Sequence, residues 1–256
     1  MKKTIENLGS LFSSYSRLAL GIFLCAATLS ATACSDDDDN DSPEEVVVEA
    51  DAVDVVEGTL VSQTYGLTES VADASQTAAT NEVYAGKSAL VCGQPYNSSF
   101  SASNSQATYS YAYSVQKSYQ LNCNSSGLPQ SFAYSHSMSG TYDAVRMSSN
   151  DGAEGAFTLT GLDASSATAD LNGTYKRSGT QISKVRNQRT FNSNVLYNIS
   201  NLKVNKSLHK IEGGTATLVI ELSADGVTKS YNATITFTGN NSATLVINGN
   251  SYVIKW

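Results

Sequence analysis

Between Tyr109 and Cys123 the chain alternates. Tyr109, Tyr111, Tyr113, Val115, Tyr119, Leu121 and Cys123 take odd positions, and Thr108, Ser110, Ser114, Gln116, Ser118, Gln120 and Asn122 take even ones. Successive side chains of a strand point to opposite faces, so this pattern makes a sheet with one dry and one wet side. Lys117 alone breaks the dry row, at a bend or with its aliphatic stem laid flat. After the turn 124–129 the pattern resumes on even positions, through Phe132, Tyr134, His136, Met138 and Tyr142. The two segments predict a long antiparallel hairpin.

The period of two continues downstream. Phe157 and Leu159, then Ala169, Leu171 and Tyr175, mark two more strands, and Tyr197 and Ile199 stay in phase. The last 45 or so residues read as a meander. Ala216, Leu218, Ile220 and Leu222 are followed by a turn at 223–226; Tyr231, Ala233, Ile235 and Phe237 by a turn at 239–241. Ala243, Leu245 and Ile247 lead through Asn248-Gly249, a hairpin signal, to Tyr252, Ile254 and Trp256. Short strands joined by tight turns are antiparallel. The predicted fold is therefore all-β: a single large antiparallel meander, barrel-like or strongly curved, with a β-sandwich as the alternative. Upstream the signals are weaker. Leu60, Ser62 and Thr64 read as a strand, Glu69 to Ala79 as a short helix capped by Thr68, and the stretch before Gln106 as a polar loop.

The amino-terminal region obeys different rules. A basic leader, Met1 to Arg17, precedes the apolar run Leu18 to Leu29. About 12 apolar residues suit a signal-peptide core, whereas a membrane-spanning helix needs about 20. Small residues, Ala31 and Ala33, then lead to Cys34, Ser35 and the block Asp36, Asp37, Asp38, Asp39. This arrangement resembles a bacterial lipoprotein signal, which implies lipid attachment at Cys34 and removal of residues 1–33. The position three before the cysteine is Ala31, where the family usually has leucine. The alternative is an ordinary secretory signal cut near Ala33, which would leave Cys34 a free thiol. Ser35 with Asp36 to Asp39 further resembles the export signal of surface-exposed lipoproteins in the Bacteroidetes. That likeness implies an outer-membrane protein facing the cell exterior.

The formal net charge of −7 is unevenly spread. From Ser35 to Glu57 there are 11 acidic and no basic residues; from Gly58 to Trp256 there are 13 basic and 11 acidic. A segment of one sign repels itself and stays solvated, so residues 34–57 are expected to be a lipidated acidic tether and 58–256 the folded β domain. Val46 to Val48 and Val53 to Val56 could already begin a strand.

Few residues of the folded part offer chemistry. Cys92 and Cys123 form an even pair in an exported domain, which favours a disulfide over two buried thiols. His136 lies in an apolar row and reads as a core histidine; the other histidine, His209, is not at metal-ligand spacing from it. No HExxH, CxxC, nucleophile elbow or glycine-rich phosphate loop occurs, and the acidic residues are scattered. Neither a metal, a cofactor nor a catalytic residue is assigned.

Lys176, Arg177, Lys184, Arg186, Arg189, Lys203, Lys206 and Lys210 follow one another with no acid between Tyr175 and Ile211. They could form a patch for phosphate or acidic glycan, but strand alternation would scatter them over both faces. The tyrosines could stack on sugars, yet their alternation with Ser and Gln favours a core role. The terminal Tyr252 to Trp256 resembles the last strand of an outer-membrane barrel, against which stand Lys117 and His136 in the rows that would face lipid. These readings converge on a non-catalytic binding or interaction module, partnered by the membrane through its anchor and by a glycan or surface protein, not by nucleic acid. A hydrolase without a recognisable motif is the competing class.

Overall fold

The computed structural model describes residues 47–186 and 188–256. The residues expected to carry the lipid and the export signal, Cys34 and Ser35 to Asp39, lie outside the described residues. Four helical pieces come first: α1 (Glu49–Leu60), a 3-10 turn (Ser62–Thr64), α2 (Leu67–Thr80) and a second 3-10 turn (Val83–Ala85). Ten strands follow: β1 (Pro95–Ser105), β2 (Ser110–Cys123), β3 (Pro129–Asp143), β4 (Met147–Thr160), β5 (Thr168–Ser183), β6 (Thr190–Asn205), β7 (Ile211–Ala224), β8 (Val227–Gly239), β9 (Ser242–Ile247) and β10 (Asn250–Lys255). They form one sheet in sequence order, each strand antiparallel to the next. The expected hairpin is β2–β3, with Tyr111 opposite Tyr142, Val115 opposite Met138 and Tyr119 opposite Tyr134. The disulfide Cys92–Cys123 is present, with 5.6 Å between its Cα atoms. It ties the approach to β1 to the far end of β2.

The sheet is neither a closed barrel nor a sandwich, because β1 and β10 each pair on one side only. It is nevertheless strongly curved. Ten flat strands would spread over about 43 Å at the usual spacing, far wider than a pair of helices. Yet both ends of the sheet reach the same helical segment. Tyr65 packs on Tyr111 and Tyr113 of β2, with ring centroids 5.5 and 5.9 Å away. Glu49 accepts hydrogen bonds from Asn250 at 2.9 Å and Tyr252 at 2.6 Å on β10. Between these ends the sheet wraps the helices, and α1 also touches β4, β6 and β7. Register shifts between β5 and β6 near Gly173, and between β6 and β7 near Asn201, bend the strands at that end.

Several expectations need correction. Residues 49–57 are not tether but most of α1, and Val53 to Val56 are helical, not strand. Ala52, Val55, Val56, Thr59 and Leu60 share one buried face at helical spacing, and burying it outweighs the modest preference of β-branched residues for strands. Acidic residues suit the first turn through the helix dipole, and Asp51 accepts the Val48 N–H at 3.0 Å. The folded part thus begins before Glu49, and Leu60 to Thr64 end a helix instead of forming a strand. α2 starts at Leu67, so Thr68 does not cap it; the Thr68 hydroxyl donates to the Leu60 carbonyl and closes the end of α1. Gly66 makes this turn possible, since a Cβ there would lie 2.5 Å from the Leu60 carbonyl carbon. Finally, the polar loop expected before Gln106 is β1, paired with β2 from Pro95 to Ser105.

Candidate functional site

The charged residues at the centre of the inner face are already engaged. Arg177 is wholly buried and forms an ion pair with Asp151, its Nε 2.9 Å from Oδ2. Its Nη2 donates to the Thr64 carbonyl at 3.0 Å, and its Nη1 reaches the carbonyls of Gly58 and Tyr65 at 3.3 and 3.4 Å. The guanidinium lies over the rings of Tyr113 and Tyr142. Burial works against its charge, but Asp151 and the tyrosines more than offset this, so its pKa is raised. Arg177 therefore fastens the turn between α1 and α2 to the middle of the sheet. Lys117 does the same for α2: its Nζ donates to Asp73 at 2.7 Å and to Thr77 at 3.0 Å. Tyr134 also donates to Asp73.

Both histidines act as polar contacts of the helices. His136 shares a hydrogen bond with Ser70, Nε2 to Oγ 3.1 Å, and its ring lies where a Cβ on Gly155 would be. Burial among Tyr134, Phe157 and Tyr175 lowers its pKa to about 4. His209 meets Ser75 at 3.0 Å. The tyrosines of the alternating rows belong to the core: Tyr113, Tyr134, Tyr142, Tyr175 and Tyr197 are buried.

The basic run does not gather into one patch. Arg177 points inward to Asp151, Lys176 outward opposite Glu154, and Arg186 bonds Asp51 and Asp54. Lys184 pairs with Asp143, Lys203 with Asp170, and Lys206 donates to the Asp163 carbonyl.

Two surfaces remain without such ties. The first is the outer face of β1–β6, opposite the helices. Cross-strand neighbours form rows such as Ser103, Ala112, Thr141, Asn150, Thr180 and Asn192. A parallel row runs Ser99, Gln116, Ser137, Glu154 and Lys176. Each row lies in an open hollow, of about 1020 and 900 Å³ respectively. Hydroxyls and carboxamides predominate in both rows, at the two-residue repeat that the pleat dictates, with the charged pair Glu154 and Lys176 closing the second. The hydroxyls and carboxamides donate and accept hydrogen bonds in several directions and carry no charge.

The second is a smaller cavity of about 360 Å³ at the gap between the two ends of the sheet. Glu57 and Gly58 of α1, Tyr109 before β2, Tyr142, Arg146 and Lys255 of β10 border it. Gly58 carries no Cβ because the Tyr142 hydroxyl lies 2.4 Å from where it would be. Burial, then the neighbouring Asp54 charge, raises the Glu57 pKa. Asp54 itself is bound on both oxygens, by Arg146 at 2.8 Å and by Arg186. No reading of the sequence marked this cavity. Its acidic residues, Asp54 and Glu57, recur with Asp51 every three positions on one face of α1, a spacing hidden by the solvated look of the acidic stretch.

Among the described residues no group of three or more His, Cys, Asp or Glu side chains is placed to hold a metal ion. No protein-family model, curated protein or solved structure matches this chain.

Proposed function

We propose that this chain is a bacterial lipoprotein, anchored through Cys34 to the outer membrane and facing the cell exterior. Its β domain would serve as a non-catalytic binding module for a polar surface partner, of which a neutral glycan is the favoured class. The observation that carries this reading is the outer face of β1–β6. It presents ordered rows made mostly of hydroxyl and carboxamide groups, with one Glu154–Lys176 pair, in two hollows, while the inner-face cations and His136 are tied to the helical segment. Glycan hydroxyls match such a surface as donors and acceptors. Among the described residues the surface offers no exposed aromatic row for stacking, so recognition would rest on hydrogen bonds and low affinity per sugar would follow.

The anchored-hydrolase reading rests on Glu57, a carboxyl with a raised pKa in a cavity. The other carboxylate of the cavity, Asp54, is held by two arginines, which argues against a working pair. A panel of immobilised neutral glycans, assayed beside chromogenic glycosides and esters with protein extracted from membranes, separates the two. Retention without turnover is the expected result; turnover abolished by Glu57→Gln would replace the binding module with the hydrolase. For the anchor, Cys34→Ser is expected to move the protein out of the membrane fraction. A variant still pelleting with membranes after a high-salt wash would contradict the assignment.

A further inference from the structure

The cavity at the gap between the sheet ends holds a carboxylate that the charge of Arg146 offsets only in part. Asp51, Asp54 and Glu57 stand on one face of α1, and two guanidiniums serve them. Arg186 bonds Asp51 and Asp54, and Arg146 bonds Asp54. Glu57 makes no hydrogen bond or salt bridge among the described residues, although it is half-buried. A carboxylate withdrawn from water without a partner is costly, and a cationic group in the cavity would offset that cost. A second feature constrains the ligand's other end. Lys255 also borders the cavity, and its ammonium likewise has no hydrogen bond or ion pair among the described residues. The lining also offers apolar surface, from Val61, Met147 and the ring of Tyr142, beside the polar Gln63, Thr64 and Thr108. The volume, about 360 Å³, lies near the lower end of the range of about 300–1,000 Å³ typical of small-molecule sites.

We propose that this cavity binds a small zwitterion with an apolar body, of the amino-acid or dipeptide class. The ligand's ammonium group meets Glu57, its carboxylate meets Lys255, and its side chains lie against Val61, Met147 and Tyr142. This inference is independent of the outer face: the two sites lie on different surfaces, and either stands if the other fails.

Calorimetric titration of the full chain in detergent with the dipeptide Leu-Leu tests it, using N-acetyl-Leu-Leu and Leu-Leu amide as controls. Saturable binding is expected for the free dipeptide, weakened at least fivefold by N-acetylation and at least fivefold by C-amidation. Glu57→Gln should reproduce the first loss and Lys255→Gln the second, with melting temperatures unchanged. Binding should also weaken as pH falls through the raised Glu57 pKa, since protonation removes the charge that holds the ammonium group. No saturable binding of the free dipeptide overturns the proposal, as does a change of less than fivefold on either chemical block. Should a variant fail to fold, the two blocked dipeptides decide the matter with the unaltered protein.

Discussion

The two faces of the same strands follow opposite rules. On the inner face, three large polar side chains of β2–β5 find partners in the helical segment: Lys117 with Asp73, His136 with Ser70, and Arg177 with three carbonyls around the turn between α1 and α2. On the outer face, one residue away along each strand, the rows are mostly Ser, Thr, Asn and Gln, with Glu154 and Lys176 opposite one another, and none of the helices covers them. The inner groups are where chemistry would be sought first, since they include the buried charges and a histidine with a displaced pKa. Their geometry instead assigns them to joining helix and sheet. A buried polar group must be satisfied, whereas an exposed row of hydroxyls bears no such obligation and is free to meet a partner.

The sharpest way to break this contrast is to remove Arg177. Arg177→Ala leaves Asp151 buried without its counter-ion and removes a donor from three carbonyls, of which Gly58 keeps the Thr64 hydroxyl, so a loss of about 3–5 kcal/mol is expected in urea unfolding. A loss below about 1 kcal/mol would mean that the helical segment is held by apolar packing alone. His136 gives a smaller, pH-dependent effect. Its folded pKa of about 4 lies below the unfolded value of about 6.5. The unfolded chain therefore binds the extra proton first. The histidine's contribution is complete above pH 6.5 and is lost as pH falls to 4, by about 3 kcal/mol. His136→Gln should show a correspondingly flatter stability profile over that window; identical profiles for the two proteins would place the ring in water. The smallest effect is expected on the outer face, where Thr141→Ala and Asn150→Ala should change stability by less than about 0.5 kcal/mol. Retention on a bound glycan should nevertheless fall with both substitutions, and retention that does not change would remove this face from consideration.

Much of this arrangement was legible in the sequence wherever apolar residues alternate cleanly. The β2–β3 hairpin, the closing meander and the Cys92–Cys123 bridge follow from period, turn residues and cysteine parity. The helical segment was not. In α1, valines suggest a strand and acids suggest a solvated tether, while the helical spacing of Ala52, Val55, Val56, Thr59 and Leu60 carries the true signal. β1 was missed because Tyr96, Phe100 and Ala102 are too few among Ser and Asn to show a period; β2 supplies the pairing that makes it a strand. The buried ion pair did leave a trace. Arg177 follows Tyr175 by two positions and Asp151 precedes Phe157 by six, so both charges fall in the dry phase of neighbouring strands. Opposite charges in such positions point to one another, but only once the strands are known to be adjacent. The cavity beside Glu57 depends on the curvature that brings Lys255 near α1, which no local pattern encodes.

The central claim is that the helical segment is an integral layer of the domain, which reserves the outer face for partners. Native-state amide hydrogen exchange of the intact chain tests this most directly. If the claim holds, the slowest amides of α1 and α2 exchange with the same free energy as those of β4 to β6, because all open only when the domain unfolds. If α1 and α2 exchange with several kcal/mol less protection than those strands, the segment is a detachable strap. The covered face would then be the one that receives a partner.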